Sequence, residues 1–511
     1  MLSMTEINER AERFYPLCSP WQAVNEYDDL VAVVRKVWYE GNIYIDQVPV
    51  ALFSPILARL QQQLQDRVLL DQVAASPDQL KNTFGFVNGA TKLVDTQEDR
   101  LTAVRGQLEQ LLAGSTTQGQ KPTWAERISW TPYSKPTAIW WSDDHGKGFP
   151  TLILELTAVP GLNGDPLHKA VVDYATIVLH EKHHKNREVT NFPTILLGIA
   201  GSQLRAAAAI CVGSSIYIST LISFNAAAPI GFHSTSDTLT LARVFQSLFE
   251  FRLQLEAYDR SITTSNTRGD IELRDRFSGS LFPIPTPVHS GVILPGLTYR
   301  GFLSSKTGQT THSLVNLGKE TTAKYVATLN DGTEVVVKFT ASYNSAAHRL
   351  LSDSGLAPRL YFCERVMGDL AMVVMERVRN CVPLAYLLNH GPEGTGSGVD
   401  FVVKKVEEAV RLLHEREIVF GNLREENILC VAASKSSVAS VLLVDFDWAA
   451  KDGEGRYPAA LNDSGKSDSD EKTTGDCQWA EGAEPFGVMK KAHDVWQVER
   501  LKKMINDSVT I

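Results

Sequence analysis

The chain has 511 residues, long enough for two to four domains, and its 43% apolar and 21% charged content is that of a soluble globular protein. A formal charge of −9 argues against bulk nucleic-acid binding through phosphate neutralisation. Six scattered cysteines (Cys18, Cys211, Cys363, Cys381, Cys430 and Cys477) form no CxxC pair, which fits reduced intracellular thiols rather than a disulfide framework.

The N-terminus is polar from its first residues and no apolar secretory core follows, so an intracellular location, cytoplasm or nucleus, is expected. Residues 1–118 read as a helical region, with apolar residues three and four apart in ILARLQQQLQDRVLLDQV and RLTAVRGQLEQLLAG. Ser115-Thr116-Thr117-Gln118-Gly119 reads as a polar linker. Residues 130–265 then read as an α/β domain. TAIWW, TLILEL and TILLGIA are strand-like, PLHKAVVDYATIVLHEK is a helix between the last two, and TLTLARVFQSLFEFRLQLEAYDR is an amphipathic closing helix. Between Ala206 and Phe232 no residue is charged, but the β-branched residues around Gly213 predict two buried strands rather than a membrane span.

Pro283, Pro285, Pro287 and Pro295 mark residues 279–300 as an interdomain connector. A second β-rich run is expected from about 311, with a hairpin turn at Asn330-Asp331-Gly332 leading into the strand TEVVVKF. The acidic, Ser- and Gly-rich tract at 463–484 predicts a disordered surface loop.

Three constellations carry candidate chemistry. In the middle segment Asp143 and Asp144 precede Glu155, and two carboxylates on adjacent strands suit a shared divalent metal for hydrolysis. Glu155 interrupts an apolar strand, whereas Asp143 and Asp144 also read as an ordinary turn. Nearby, His180-Glu181-Lys182-His183-His184 satisfies H-E-x-x-H, which on one helix would offer His180 and His184 to zinc and Glu181 as base. Its flanking lysines and the lack of a nearby third ligand favour a solvated helix end instead. In the C-terminal segment, Lys338 ends an alternating strand, Asn427 follows Asn422 by five positions, and Asp445 ends an apolar strand. A carboxylate there is costly unless partnered, and oxygen donors from two neighbouring loops suit Mg²⁺ shared with phosphates.

The order of strand lysine, FGNLREENIL and VDFDWAA resembles the protein-kinase fold, with its catalytic loop and DFG segment. The run from YNSAAHRLLSDSGLAPRLYF through VDFDWAAKDGEGRYPAALN is similar to fungal-type protein-kinase-like domains, whose catalytic loop follows H-G-D-L-x-x-x-N and which carry a nuclease-like domain in front. The resemblance implies a two-lobed kinase-like domain over about 300–505. It implies ATP and Mg²⁺ as cofactors, with Gly318 and Lys338 at the phosphates and Asn427 and Asp445 on the metal. It also implies a middle PD-(D/E)xK nuclease-like domain, in which Thr157 replaces the expected lysine after Glu155. The fold class expected for the whole is α+β multidomain.

The departures set the functional expectation. Asn422 stands at the catalytic-aspartate position, with Arg424 beside it, and an amide cannot take a proton from a substrate hydroxyl at neutral pH. Phe420 replaces the preceding histidine, the glycine-rich loop is reduced to Gly318, and DFG reads DFD, with Asp447 for glycine. The helix glutamate that pairs with the lysine is missing, with His348 the nearest substitute. Asp494 is the candidate anchor of the catalytic loop. The expectation is an ATP- and Mg²⁺-binding pseudokinase in a regulatory or scaffolding role, with no membrane association and an unknown protein partner. The alternatives are an active atypical Ser/Thr kinase and a nucleic-acid-binding or nuclease-like protein acting through 137–262.

Overall fold

The computed structural model describes residues 43–45, 49–92, 94, 96–113, 123–124, 135–143, 148–157, 165–180, 183, 186, 189–212, 215–225, 234–266, 282–303, 310–311, 324–390, 398–434, 437–459, 461 and 479–509. The chain is mixed α+β and divides into two compact units, one ending at Thr286 and the other beginning at Pro287. The boundary falls inside the expected proline-rich connector.

In the first unit, β1 (Ile43–Ile45) precedes helices α1 (Pro55–Gln65), α2 (Arg67–Gln72), α3 (Pro77–Thr91) and α4 (Gln97–Ala113). Their starts follow capping chemistry. The Ser54 hydroxyl accepts from Leu57 N–H, Ser76 and Gln79 form a reciprocal capping box, and a proline opens both helices. Next come β2 (Thr123–Trp124), β3 (Ala138–Trp141), β4 (Pro150–Thr157), α5 (Pro166–Leu179), β5 (Thr194–Ala200), β6 (Gln203–Val212), β7 (Ser215–Asn225) and α6 (Ser234–Asn266). The seven strands form one sheet in the order β1-β7-β6-β5-β4-β3-β2. β4 and β5 are parallel, so α5 is their crossover. The uncharged 206–232 run begins as the antiparallel pair β6–β7, as its β-branched residues predict. Among the described residues no helix is long and apolar enough to cross a membrane.

Helix α5 buries Leu167, Val171 and Tyr174 against Ile139, Ile153 and Leu196 of the sheet. Helix α6 packs along α1, α3 and α4, with Phe86 and Phe245 edge to face at 5.2 Å. The buried Arg252 of α6 donates from Nε to the Leu112 carbonyl at 2.9 Å, satisfying an end of α4. The helices between Pro55 and Ala113 therefore share a unit with the sheet. Their apolar faces need a partner, and the long amphipathic α6 supplies it.

The second unit contains β8 (Leu297–Leu303), β9 (Thr310–Thr311), β10 (Lys324–Leu329), β11 (Glu334–Thr340), α7 (Ser345–Asp353), β12 (Leu360–Val366) and β13 (Leu370–Glu376). It continues with β14 (Cys381–Pro383), α8 (Leu384–His390), α9 (Gly398–His414), β15 (Ile418–Val419), β16 (Ile428–Ser434), β17 (Ser437–Leu443), β18 (Ala450–Lys451) and α10 (Lys491–Val509). One antiparallel sheet runs β12-β13-β11-β10-β8-β9, and smaller ones pair β14-β16-β17 and β15-β18. The β-rich run starts at Leu297, earlier than the expected 311. The β8–β10 register shifts between Val326 and Ala327, opposite Gly301, and that irregularity hides the two-residue alternation. Leu351 of α7, Leu413 of α9, Leu423, Phe446 and Leu501 of α10 join one core cluster.

Gly198 of β5 marks the closest helix–strand approach in the first unit. A Cβ there would lie 2.5 Å from the Leu167 backbone nitrogen and 2.8 Å from its Cα. Gly198→Ala is expected to destabilise the first unit by about 1–3 kcal/mol through overpacking. Urea unfolding followed by tryptophan fluorescence checks it, and an unchanged midpoint refutes the close packing.

Candidate functional site

Strand β11 lies in the interior of its sheet. Lys338 is held opposite Lys324 on one side and Val373 on the other, so its backbone is fixed from both edges. The Lys338 side chain is 3% exposed, and its ammonium lies 2.7 Å from Asp445 Oδ1 and 2.7 Å from Asp447 Oδ2. Burial opposes its charge, but the two aspartates outweigh that and raise its pKa above the ordinary lysine value. Burial likewise works against an ionised Asp445, yet Lys338, with Lys324 adding, holds its carboxyl well below the usual range. Asp447 goes the other way. Burial first, offset by Lys338 and reinforced by Asp445, pushes its carboxyl up to about 6. Thr340 Oγ1 donates to Asp447 Oδ2 at 2.7 Å, and Ser342 Oγ donates to the Asp447 carbonyl at 2.7 Å.

The loops that carry the other residues are tied together by the backbone. Val444 N–H donates to the Asn427 carbonyl at 3.0 Å, extending the β16–β17 pairing, so Asp445 comes one residue after a bond to Asn427. Asp445 has φ 74°, a left-handed conformation that aspartate tolerates better than most residues, though at some energetic cost. Asn427 donates its side-chain amide to the Asn422 carbonyl at 2.9 Å, which leaves its own side-chain oxygen as the atom available to a cation. Asn422 is buried, and its Oδ1 accepts from Arg424 Nε at 2.9 Å. The Arg424 guanidinium also lies over the Trp448 ring, 5.8 Å from its centroid.

Asp494 performs the anchoring expected of it. Its buried carboxylate accepts from Phe420 N–H at 2.7 Å and Gly421 N–H at 2.9 Å, with His414 Nε2 at 3.1 Å. Gly421 has φ 74°, a left-handed conformation that favours glycine, and a Cβ there would press on Met489 Cε. Phe420 stands edge-on to Phe446 at 5.4 Å, and Phe446 stacks on His348 at 4.7 Å and 8°.

His348 does not partner the lysine. Its Nε2 donates to the Pro358 carbonyl at 2.8 Å, and its Nδ1 takes the Tyr343 hydroxyl at 2.7 Å, so both ring nitrogens are used in one neutral tautomer. Burial depresses its pKa to about 4. The lysine's counter-ions come instead from the DFD segment.

In the first unit, Glu155 is fully buried. Its carboxylate accepts from Thr137 N–H and Thr137 Oγ1, each at 3.0 Å, and pairs with Lys169 Nζ of α5 at 2.6 Å. Burial opposes the Lys169 charge, but Glu155 and Asp173 raise its pKa. Asp143 is not brought to Glu155. The hairpin places Glu155 beside Thr137, and Asp143 lies six residues further along the strand direction, about 20 Å away at strand rise. Spacing in sequence misled here because twelve residues around a hairpin return to the same level only when the turn is central. Asp143 instead neighbours Asp259, which accepts from Ser142 Oγ.

Of the H-E-x-x-H residues, Glu181 and His184 lie outside the described residues, and His180 lies past the end of its helix. Helix α5 ends at Leu179, His180 is its C-cap with extended ψ, and the buried His183 packs edge-on to Phe149 and Phe192. Asp144, Gly318, His184 and most of 463–484 lie outside the described residues. Among the described residues no group of three or more His, Cys, Asp or Glu side chains is arranged to hold a metal ion. The all-oxygen set of Asn427 and Asp445 beside a buried lysine nevertheless has the donor chemistry that Mg²⁺ with phosphates prefers. Lys169, Thr340 and the pairing role of Asp447 escaped the sequence reading, although an acidic residue in place of a turn glycine was a visible signal for the last. No protein-family model matches the chain, and no curated protein matches it either.

Two outcomes follow from these contacts. Asp494→Ala strands two buried amide N–H groups and is expected to destabilise the second unit by about 2–5 kcal/mol, measured by denaturant unfolding. The second concerns pH. Between about 6.5, the ordinary histidine value, and 4 the unfolded chain binds a proton that folded His348 refuses. Stability from this group therefore falls as pH drops through that range, by about 3 kcal/mol. Asp447, raised to about 6, contributes with the opposite sign between 6 and the normal carboxyl range. His348→Leu should flatten or invert the pH dependence of the unfolding midpoint between pH 7 and 4.5. A variant as acid-sensitive as wild type would refute the assignment.

Proposed function

We propose that the second unit is a degenerate protein-kinase-like domain that binds Mg-ATP and acts as a pseudokinase in regulation or scaffolding. One observation carries this reading: the Lys338 ammonium reaches Asp445 at 2.7 Å, across 107 residues of sequence, at the site where Asn427 is tied to the same loop. In this reading Lys338 holds the α- and β-phosphates as a point charge, and Asn427 and Asp445 offer oxygen to Mg²⁺. The bound Mg-ATP would supply the transferable phosphoryl group and a charge-neutralising cation. Asn422 accepts no proton, and its oxygen is already bonded to Arg424. Loss of a positioned base lowers rate by about 10²–10⁴, while binding does not depend on it. Affinity is therefore retained where turnover is weakened.

Millimolar Mg-ATP should raise the melting temperature of the wild-type protein, because a ligand that binds only the folded state stabilises it by RT ln(1 + [L]/Kd), about 2.7 kcal/mol at a hundredfold excess over Kd. Lys338→Met and Asp445→Asn should each abolish the shift while leaving the protein folded by circular dichroism. A wild-type protein without any shift, in Mg²⁺ or Mn²⁺, would sink the nucleotide role. Incorporation of γ-phosphate at rates that match an active kinase would instead favour the atypical-kinase alternative.

A further inference from the structure

We infer that Asp447 is an internal occupant of the phosphate position, setting nucleotide affinity by competing with phosphate for Lys338 and Thr340; the inference rests on the nucleotide-binding reading above. A lysine ammonium has three N–H donors, and two of them are spent at 2.7 Å on Asp445 and Asp447. Of these two, Asp445 is the metal-side carboxylate in that reading, so Asp447 takes the direction left for an anionic ligand. The Thr340 hydroxyl on the same strand serves Asp447 too, and Ser342 fixes the backbone behind it. A carboxylate and a phosphate oxygen make the same charge-assisted bonds to these donors, so they exclude each other.

Glycine, which this position holds in the resembling motif, has no side chain to compete. A second feature points the same way. Asp447 Oδ1 is buried and has no hydrogen-bond partner. The charged and titratable groups around it are Lys338 of β11, Asp445 of its own loop, and Tyr343, with Lys324 of β10 acting on Asp445.

The test is titration calorimetry on the full chain at pH 7.5, with Mg-ATP and separately with sodium tripolyphosphate, on wild type, Asp447→Asn and Asp447→Gly. Thermal melts without ligand confirm that each variant is folded. Competition predicts that both variants bind both probes about tenfold or more tightly than wild type at pH 7.5. Equal affinities in wild type and variants overturn the inference and leave the nucleotide reading standing. Weaker binding by the variants overturns it in favour of a metal-ligand role for Asp447. Binding by the variants alone supports both the inference and the reading, and no binding by any of the three overturns both.

Discussion

A lysine ammonium that is 3% exposed cannot stay charged without anions against it, and the second unit is organised around meeting that requirement at Lys338. The strand fixes the lysine from two sides, so it is the loops that must come to it. They supply two carboxylates for one ammonium, which leaves a surplus negative charge in a buried place. The surplus is divided unequally: Asp445 is held well below the usual carboxylate range, and Asp447 is pushed up to about 6. Removing either partner of such a pair typically costs more than the pair contributes, so the arrangement constrains the position of the whole DFD segment.

The same segment is braced from behind. Phe446, between the two aspartates, is clamped between Phe420 and His348 by aromatic contacts. Asp494 holds the backbone N–H groups of Phe420 and Gly421, and Phe420 in turn packs on Phe446, so α10 braces the segment that carries the lysine's two aspartates. His348 of α7 is a neutral ring bonded to Pro358 and Tyr343, and the lysine is neutralised by the two aspartates instead.

Much of this was legible in the sequence because it depended on local patterns. Alternation located β11 and placed Lys338 near its end, apolar periodicity located α1, α4 and α6, and the β-branched residues around Gly213 predicted two strands rather than a membrane span. The anchoring role of Asp494 was suggested by the resemblance and not by any local pattern around HDVW. What stayed hidden was side-chain direction. Nothing in SAAHRLL says that His348 turns toward Pro358 and Tyr343, nor in DFD that the second aspartate folds back onto the lysine. That return depends on φ 74° at Asp445, a conformation set by tertiary contacts. In the first unit the failure was of register. Asp143 and Glu155 are close in sequence and on paired strands, but they sit at opposite ends of the hairpin, and the residue that meets Glu155 is Lys169, fourteen positions later on a helix.

The two units thus use one device in opposite ways. Glu155 is a buried carboxylate with two donors from Thr137 and one ammonium from Lys169, so its charge is balanced and its lone pairs are occupied. Such a group stabilises a fold and has little left for a ligand. At Lys338 the balance is not closed: there are more carboxylates than ammonium groups, one buried oxygen on Asp447 is unbonded, and the side-chain oxygen of Asn427 is not committed to the loop. Incomplete satisfaction in a buried place is expensive, and proteins retain it where a ligand completes the set. This difference, more than the motif resemblance, is why the second unit is the better place to look for chemistry.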